Sequence, residues 1–361
     1  MSPTRSRPDE TTDQEARAPL VYRVGIIGCG AIASDGWDQD VRQVPGYQLL
    51  PYSHAAVYQR HPKTRLVAAA DIDPQRLRAF GERWGVRALY LDHREMLARE
   101  DLEVVSIATP TRVRHAVTLD VARSRVRGIF MEKPVARTLG EVDEMIAAYR
   151  SGGIKVAVNH YRTYDPYFRA ARALILNGEI GELRGALATW KEGFSEGGCH
   201  LFDLLRYTVR AEVDWVFAHL DEDRSQVDPG GNAYLVYRNG VRASVHMPWS
   251  NQAPSSVEFL GSEGMIRMGS YQPQWWKFVR HGSRTIPVEW PFPGRNDGYS
   301  GMYMALDELL RAMEGGAEPA STPEDARSVL ETTVALLKSG QSGEPVRLPV
   351  TDTAFVVESW L

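Results

Sequence analysis

A glycine-rich hexapeptide near the amino terminus has the residue types of a phosphate-binding turn. Gly28-Cys29-Gly30-Ala31-Ile32-Ala33 has the pattern G-x-G-x-x-A and comes directly after the apolar residues 24–27. In such a turn the first glycine allows a tight bend, the second lets the backbone approach a pyrophosphate, and the small last residue lets the next helix pack closely. The alternative is a glycine-rich turn without a ligand. We expect a dinucleotide to contact Gly28, Gly30, Ala31 and Ile32.

A carboxylate follows the second apolar run of the chain. Asp71 comes after residues 66–70, where a carboxylate can accept hydrogen bonds from both ribose hydroxyls and repel a 2′-phosphate. This favours NAD over NADP. Asp71 lies 41 residues after Gly30, instead of the usual ~20, so we infer an insertion before His54. Asp73 is a second candidate, but its place before a proline suits a helix cap better.

A lysine stands at the end of another buried run. Glu132-Lys133-Pro134 follows residues 128–131 and so lies at a carboxyl-terminal strand edge, where ligands bind in parallel sheets. The lysine can move a proton or hold a substrate hydroxyl, and positive charge on an oxidised nicotinamide would lower its pKa. The alternative is an ordinary surface lysine.

The next cluster is Glu196-Gly197-Gly198-Cys199-His200-Leu201-Phe202-Asp203. A histidine in a glycine-flanked turn that opens a helix can point into a cleft, and Asp203, one helical turn later, can orient its ring. His-x-x-Asp is also half of a metal site, but no further ligand cluster is near, so we expect no metal. Cys199 is either an accessible thiol near the site or a small buried hydrophobic residue.

The elements that position these residues fall into two halves. In the first half, apolar runs alternate with helix-length segments, which predicts a parallel sheet with helical crossovers. Asp73-Pro74 predicts the start of one helix, and Thr138 with Glu141 has the spacing of a capping box. The predicted strands are residues 24–27, 66–70, 104–108, 128–131 and 155–158.

After residue 158 the pattern changes to strand-like runs with little helix between them. Asn239-Gly240 is a hairpin-turn dipeptide between two such runs. The second half therefore predicts a mostly antiparallel sheet, closed by helices near residues 302–313 and after Thr322-Pro323. We expect a tail over residues 1–20, a nucleotide-binding domain over 21–158, and a substrate-binding and oligomerisation domain over 159–361.

Composition excludes several classes of partner. Forty-two Lys and Arg against 46 Asp and Glu give a net charge of −4, so no basic surplus favours nucleic acid. Two cysteines cannot form a disulfide framework, and no apolar run approaches the ~18 residues that span a membrane. We expect a cytoplasmic enzyme with a small-molecule substrate.

Taken together, these motifs resemble the glucose–fructose oxidoreductase / inositol dehydrogenase / MocA (Gfo/Idh/MocA) family of NAD(P)-dependent oxidoreductases. The resemblance covers nearly all of residues 21–350. Beyond the motifs above, it rests on Thr109-Pro110 with His115, Asn159-His160 with Asp165-Pro166, residues 178–183 and residues 261–264.

The resemblance implies a Rossmann domain followed by an α/β domain whose open sheet mediates dimers or tetramers. It implies that Lys133 is the catalytic lysine and His200 the proton-transferring histidine. Members often carry Asp four residues before that histidine, where this chain has Glu196. Three further residues, Thr109, Pro110 and Glu132, are expected beside the cofactor with Lys133.

The function that follows is reversible oxidation of a secondary alcohol on a sugar or cyclitol. His200, supported by Glu196 or Asp203, would take the hydroxyl proton, while Lys133 holds the alcohol oxygen. Two alternatives stay open. One is a redox-neutral enzyme that uses NAD transiently to cleave glycosidic bonds, and the other is a non-catalytic NAD-sensing regulator on the same fold.

The insertion before His54 carries an unusual mixture of aromatic and charged residues. The insertion begins just after the carboxyl end of the first strand, beside the expected cofactor cleft. We expect it to form a wall or lid of the active site, the alternative being a surface excursion or a subunit contact. The residues that suggest this, within 34–53, are Trp37, Asp38, Asp40, Arg42, Tyr47 and Tyr52.

Overall fold

Six parallel strands form the sheet of the first half, in the order β3-β2-β1-β4-β5-β6. The computed structural model describes residues 20–34, 50–221, 227–248, 255–269, 273–293 and 299–358. All five predicted strands are present. The strands are β1 (Tyr22–Ile27), β2 (Thr64–Ala70), β3 (Ala88–Tyr90), β4 (Val104–Ile107), β5 (Gly128–Met131) and β6 (Lys155–Val158). The strand β3 was not predicted, because it is a three-residue, half-buried strand at the edge of the sheet.

Helices connect these strands and begin at the expected caps. Asp73 accepts hydrogen bonds from the backbone amides of Gln75 and Arg76, which confirms it as a helix cap. Thr138 and Glu141 form the predicted capping box. The helices are α1 (Ala31–Ser34), α2 (His54–Arg60), α3 (Pro74–Trp84), α4 (His93–Arg99), α5 (Thr111–Ala122) and α6 (Leu139–Gly152).

A nine-stranded sheet dominates the second half, in the order β14-β13-β12-β11-β7-β10-β9-β8-β15. Among the described strands of this sheet, only β7 and β10 pair in parallel, so the sheet is mostly antiparallel, as predicted. The strands are β7 (Leu183–Thr189), β8 (Val213–Leu220), β9 (Gly231–Tyr237), β10 (Arg242–Met247), β11 (Ser256–Gly261), β12 (Gly264–Gly269), β13 (Gln274–His281), β14 (Arg284–Trp290) and β15 (Val346–Arg347).

In the described part of the second half, five helices follow β6, and one of them packs against the first sheet. They are α7 (Tyr161–Tyr164), α8 (Pro166–Leu176), α9 (Gly198–Val209), α10 (Gly301–Met313) and α11 (Pro323–Ser342). Apolar residues of α10, Met302 and Leu306, are buried with Val24 and Ile26 of β1. The first sheet is therefore completed by a helix from the end of the chain. None of the helices in the described ranges has the length and apolar character needed to cross a bilayer.

Candidate active site

The glycine turn lies between β1 and α1, beside the point where the strand order reverses. Gly28 has a φ of +90°, and a Cβ there would lie 2.7 Å from the carbonyl oxygen of Ala108. A Cβ on Gly30 would meet nothing within 4 Å. Gly28 is thus required by the bend, and Gly30 leaves open space beside the backbone. Ala31 is exposed and Ile32 half-buried at the start of α1.

Asp71 lies buried against this turn. Its carboxylate accepts hydrogen bonds from the backbone amides of Cys29, at 2.7 Å, and Asp73, at 2.8 Å. The half-exposed guanidinium of Arg76 lies 3.3 Å from the same carboxylate. Asp71 therefore holds the turn in shape, and it places both a negative and a positive group at the end of β2, where a ribose binds in this fold.

Thr109 and Pro110 stand where β4 meets α5. Thr109 is buried, and its hydroxyl has no hydrogen-bond partner among the residues that the structure describes. Pro110 is exposed. The side-chain oxygen of Asn159, just after β6, is likewise buried and unpartnered in the described parts. Buried polar atoms without partners are rare, so these two oxygens fit a site for a polar ligand group, and with the open turn they fit a dinucleotide.

Arg114 is a buried residue that the sequence analysis missed. Its guanidinium donates to the carbonyl oxygens of Thr109 and Pro134 and so joins the two segments expected beside the cofactor. Burial lowers its pKa to about 10. His115 instead lies near the surface, 3.0 Å from Glu144. Helical spacing could have found Arg114, because it lies on the buried face of α5.

The carboxylate of Glu132 is bonded to residues of the first half of the chain. One of its oxygens lies 2.9 Å from His54 Nε2 and accepts a hydrogen bond of 2.6 Å from Asn159. His54 Nδ1 lies 2.8 Å from Ser106 Oγ, which is 2.6 Å from the Tyr58 hydroxyl. We call these five buried or largely buried residues, from α2, β4, β5 and β6, the Glu132 cluster.

Charge reinforces the Glu132 cluster. Burial alone would raise the pKa of Glu132, but hydrogen bonding and positive charge from His54, with the charge of Lys133, lower it to about 2. The carboxylate is therefore ionised in the interior. Because its other oxygen accepts the backbone amide of Lys133, at 3.2 Å, the cluster fixes the start of the lysine segment.

The Lys133 side chain reaches from the first domain to the second. Its ammonium donates to the backbone oxygen of Glu196 at 3.3 Å. Burial lowers the pKa of Lys133, but its electrostatic interactions with Cys199, Glu132 and Glu196 outweigh that and leave the pKa raised. Lys133 is therefore a cation that stays protonated beyond the range of an ordinary lysine.

Asp228 is a second residue that the sequence analysis missed, and it holds the loop that Lys133 contacts. Asp228 is buried, and its two oxygens accept the backbone amides of Ser195 and Glu196, each at 2.8 Å. A Cβ on Gly193 would lie 2.3 Å from the Asp228 carboxyl group, so the fit requires glycine there. Burial raises the pKa of Asp228 to about 7. No motif marks Asp228, because it comes from the connection between β8 and β9.

His200 lies in the first turn of α9, as the glycine-flanked turn predicted. It is buried, and within the described ranges its Nδ1 has no hydrogen-bond partner. Its ring meets the Tyr161 ring at 4.8 Å between centroids. Burial, followed by the positive charges of Arg162 and Lys133, lowers the pKa of His200 well below 6.5. The imidazole is therefore neutral and able to accept a proton.

Asp203 does not bond to the His200 ring, contrary to our expectation. Its carboxylate lies 3.2 Å from His160 Nδ1 and also accepts hydrogen bonds from Ser321 and Thr163. Burial lowers the pKa of His160, but the Asp203 charge raises it by more, to about 10. The spacing of residues 200 and 203 suggested a pair within α9, but His160, just after β6, is the histidine that contacts the Asp203 carboxylate.

The two histidines therefore lie in one polar group with opposite charge states. Their ring centroids are 5.9 Å apart. We call His200, His160, Asp203 and Ser321 the His200 cluster. In the part of the chain that the structure covers, no three His, Cys, Asp or Glu side chains converge as metal ligands.

Cys199 is buried at 4 % exposure. Its thiol donates to the backbone oxygen of Glu196 at 3.1 Å, which is also the acceptor for Lys133. The structure thus supports the alternative of a buried cysteine over an accessible thiol.

Most of the insertion, residues 35–49, lies outside the described residues, including Trp37, Asp38, Asp40, Arg42 and Tyr47. Its last part is described. The Tyr52 ring meets Tyr161 at 5.1 Å between centroids, and Tyr161 in turn contacts His200. The end of the insertion therefore lies beside the His200 cluster.

Comparison with known proteins identifies both halves. Residues 22–160 match the Gfo/Idh/MocA oxidoreductase family with its NAD-binding Rossmann fold. Residues 168–267 match the Gfo/Idh/MocA carboxyl-terminal domain.

Similar proteins include two curated oxidoreductases. The chain is 27 % identical to dTDP-3,4-didehydro-2,6-dideoxy-α-D-glucose 3-reductase of Actinomadura kijaniata, over 84 % of this chain and 91 % of that protein. It is 26 % identical to scyllo-inositol 2-dehydrogenase (NAD⁺) of Bacillus subtilis, over 85 % and 96 %. The structure of the WlbA dehydrogenase from Bordetella pertussis, in complex with NADH and UDP-GlcNAcA, shares the fold with a TM-score of 0.73, at 19 % identity over 92 % and 99 %.

Proposed function

Because the chain belongs to the Gfo/Idh/MocA family of oxidoreductases and carries its NAD-binding Rossmann domain, we propose that it transfers a hydride between NAD and a secondary alcohol of a sugar or cyclitol. One observation carries this proposal. The Lys133 ammonium donates to the backbone oxygen of Glu196, four residues before the buried His200, and its charge is one of those that lower the pKa of His200.

Lys133 and His200 act on different atoms of the alcohol. NAD, when bound, supplies the hydride acceptor. Lys133 holds the alcohol oxygen and stabilises the negative charge that develops on it, and His200 accepts the hydroxyl proton as general base. A neutral imidazole is required for that role, and His200 meets this requirement because its pKa is lowered. Proton transfer of this kind typically contributes ~10²–10⁴-fold to the rate.

Asp203 and Glu196 support the chemistry indirectly. Asp203 keeps His160 charged, and that charge adds to those which hold His200 neutral. The backbone of Glu196 fixes the Lys133 ammonium, while its carboxylate adds negative charge near Lys133. We therefore assign Asp203 and Glu196 as positioning residues, and Lys133 and His200 as the pair that touches the alcohol.

Cofactor preference follows from the end of β2. The Asp71 carboxylate favours NAD because it suits ribose hydroxyls and repels a 2′-phosphate. Gly28, Gly30, Ala31 and Ile32 would hold the pyrophosphate, and Thr109, Pro110 and Lys133 the nicotinamide side. Glu132, which we expected beside the cofactor, acts instead through the backbone of Lys133.

The test is NADH formation from a panel of cyclitols, aldoses and sugar acids. The proposal expects at least one of them to give stoichiometric NADH. Cleavage of a glycoside without net NADH would favour the redox-neutral alternative. NAD binding without any turnover would favour the sensor.

The outer face of the second sheet supports a homo-oligomer. Leu187 of β7 and Phe217 of β8 are exposed by 47 % and 39 % on a shallow depression of this sheet. An exposed apolar sheet face is suited to pairing with a second copy of the chain. We propose a homodimer or homotetramer through this face. Light scattering should show the oligomer, and Leu187→Asp should lower its mass.

A further inference from the structure

An arginine held by two aromatic rings lies beside the proposed general base. The Arg162 Cζ atom is 4.6 Å from the ring centroid of Tyr161 and 4.6 Å from that of Trp190. Tyr161 also contacts the His200 ring, at 4.8 Å. The same aromatic side chain therefore supports both the guanidinium and the imidazole, so the two polar groups are near neighbours in the site.

The rings that hold Arg162 are themselves fixed. Trp190 is buried, and its indole N–H donates to the backbone oxygen of Gly197 at 3.0 Å, in the loop that leads to His200. Tyr161 is packed between Tyr52 and His200. A guanidinium held in this way loses little further freedom when it binds a ligand, and its five N–H donors match the two oxygens of a carboxylate. With five donors it can bind a ligand and still serve a partner within the chain.

Charges around the base favour an anion. The groups that act most strongly on His200 are Arg162, Lys133, His160 and Lys191, and all are positive. Two carboxylates, Glu192 and Glu196, also face this region, and Glu192 lies 3.5 Å from the Lys191 ammonium. Lys191 is thus partly neutralised within its own loop. Arg162 is the cation that two aromatic rings hold beside the base, and we assign to it the recognition of a negative group on the molecule that His200 deprotonates.

We propose that Arg162 selects a substrate with a carboxylate, that is, a sugar acid or another polyhydroxy acid, and binds this group while His200 and Lys133 act on a nearby hydroxyl. The inference rests on the proposed function for the hydroxyl chemistry, and it goes beyond it by naming the substrate class. A neutral cyclitol offers no negative group to the positive charges that act on His200.

The test uses matched neutral and acidic probes. Binding of D-glucose, D-glucuronate, D-galactose and D-galacturonate to the enzyme–NADH complex is measured by calorimetry, and NADH formation with the same compounds and myo-inositol is measured separately. Each acid is expected to bind at least ~10-fold more tightly than its neutral counterpart, as one charge-assisted pair provides. Equal or weaker binding of both acids would overturn the inference.

Variants at Arg162 assign the effect to this residue. Arg162→Met should remove the preference for the acid and leave the affinity for the neutral sugar within ~3-fold of wild type. Arg162→Lys should keep only part of the preference, because lysine retains the positive charge but not the paired N–H donors of the guanidinium. Arg172→Met is the control, since Arg172 packs on Tyr207 at 4.2 Å in the same manner but outside the site. Equal losses for neutral and acidic probes in Arg162→Met would show a merely structural role.

The two proposals fail in different ways. If myo-inositol or a neutral sugar is oxidised better than every acid, the dehydrogenase activity stands and the carboxylate inference is wrong. If no compound yields NADH, the proposed function fails, while the binding difference between wild type and Arg162→Met still decides whether the site recognises a carboxylate.

Discussion

The Glu132 cluster and the His200 cluster are both buried polar groups, yet their hydrogen bonds are arranged differently. In the Glu132 cluster the carboxylate, His54, Ser106 and Tyr58 bond to one another in a chain. In the His200 cluster, Asp203 is used by His160, and His200 Nδ1 is left without a partner in the described residues. A chain of mutual hydrogen bonds holds its members in place, whereas an imidazole with an unpartnered buried nitrogen is able to bond to a ligand.

Lys133 joins the two clusters. Its backbone is held by Glu132 on one side, and its ammonium reaches Glu196 beside His200 on the other. The Glu132 cluster is therefore a scaffold, and the His200 cluster is a reactive group. Variants in the Glu132 cluster should lower folding stability, whereas variants at Lys133 and His200 should lower catalysis.

Loss of Lys133 is expected to have the largest effect. Lys133→Met should lower kcat by at least ~10²-fold, because the alcohol oxygen loses the cation that stabilises its charge. NADH affinity, measured by fluorescence titration, should stay close to wild type. Lys155→Met is the control, since Lys155 pairs with the exposed Glu318. Near-normal turnover of Lys133→Met would remove this residue from the mechanism.

Removal of the proposed base comes next. His200→Ala should lower kcat by ~10²-fold, and the pH profile should identify the group. Because the pKa of His200 is lowered well below 6.5, wild-type kcat/KM should stay level as the pH falls through 6.5 and decline only at more acidic pH. His160, with its pKa of about 10, stays charged over this range and cannot replace it. A wild-type midpoint at or above 6.5 would contradict the assignment.

How far the sequence predicts these regions depends on how local their interactions are. Caps such as Asp73 and the Thr138 box involve neighbouring residues, and both were predicted correctly. Directly bonded residues of the Glu132 cluster lie up to 78 positions apart in sequence, as His54 and Glu132 show. The parallel-strand pattern predicts that strand ends meet, but it does not say which side chains turn inward there.

The error at Asp203 has the same origin. Helical spacing correctly places Asp203 one turn after His200, yet it cannot reveal that His160, which is 43 residues earlier, lies closer to the carboxylate. Asp228 was missed because no sequence motif marks the segment between β8 and β9. Arg114, by contrast, could have been predicted from the sequence, because its spacing in α5 places it on the buried face of the helix.

On the scaffold side, Glu132→Gln should affect stability. We expect the free energy of unfolding in urea to fall by ~3 kcal/mol at pH 7, because His54 and Asn159 lose a buried charged partner. The folded pKa of Glu132, about 2, lies below its usual 4.5. Its contribution is therefore complete above about pH 4.5 and is lost as the pH falls toward 2.

A matched variant tests whether burial is the cause. Glu144→Gln removes an exposed carboxylate that lies near His115, and it should change the unfolding free energy by less than ~0.5 kcal/mol. If Glu132→Gln proves equally mild, or if its effect does not change between pH 5 and 2, the Glu132 cluster is not the charged scaffold described above.

The smallest effect is expected at the end of β2, where cofactor choice, and not the rate of chemistry, should change. Asp71→Ser removes the carboxylate that repels a 2′-phosphate and frees Arg76, now 3.3 Å from Asp71, to bind one. The kcat/KM ratio of NAD to NADP should shrink by ~10-fold, and adding Arg76→Met should restore part of it. Asp73→Ser replaces a helix cap that also lies 3.4 Å from Arg76, but it leaves Asp71 in place, so it should change the ratio much less than Asp71→Ser. A wild-type enzyme that prefers NADP would show that Arg76, and not Asp71, governs the ribose end of the site.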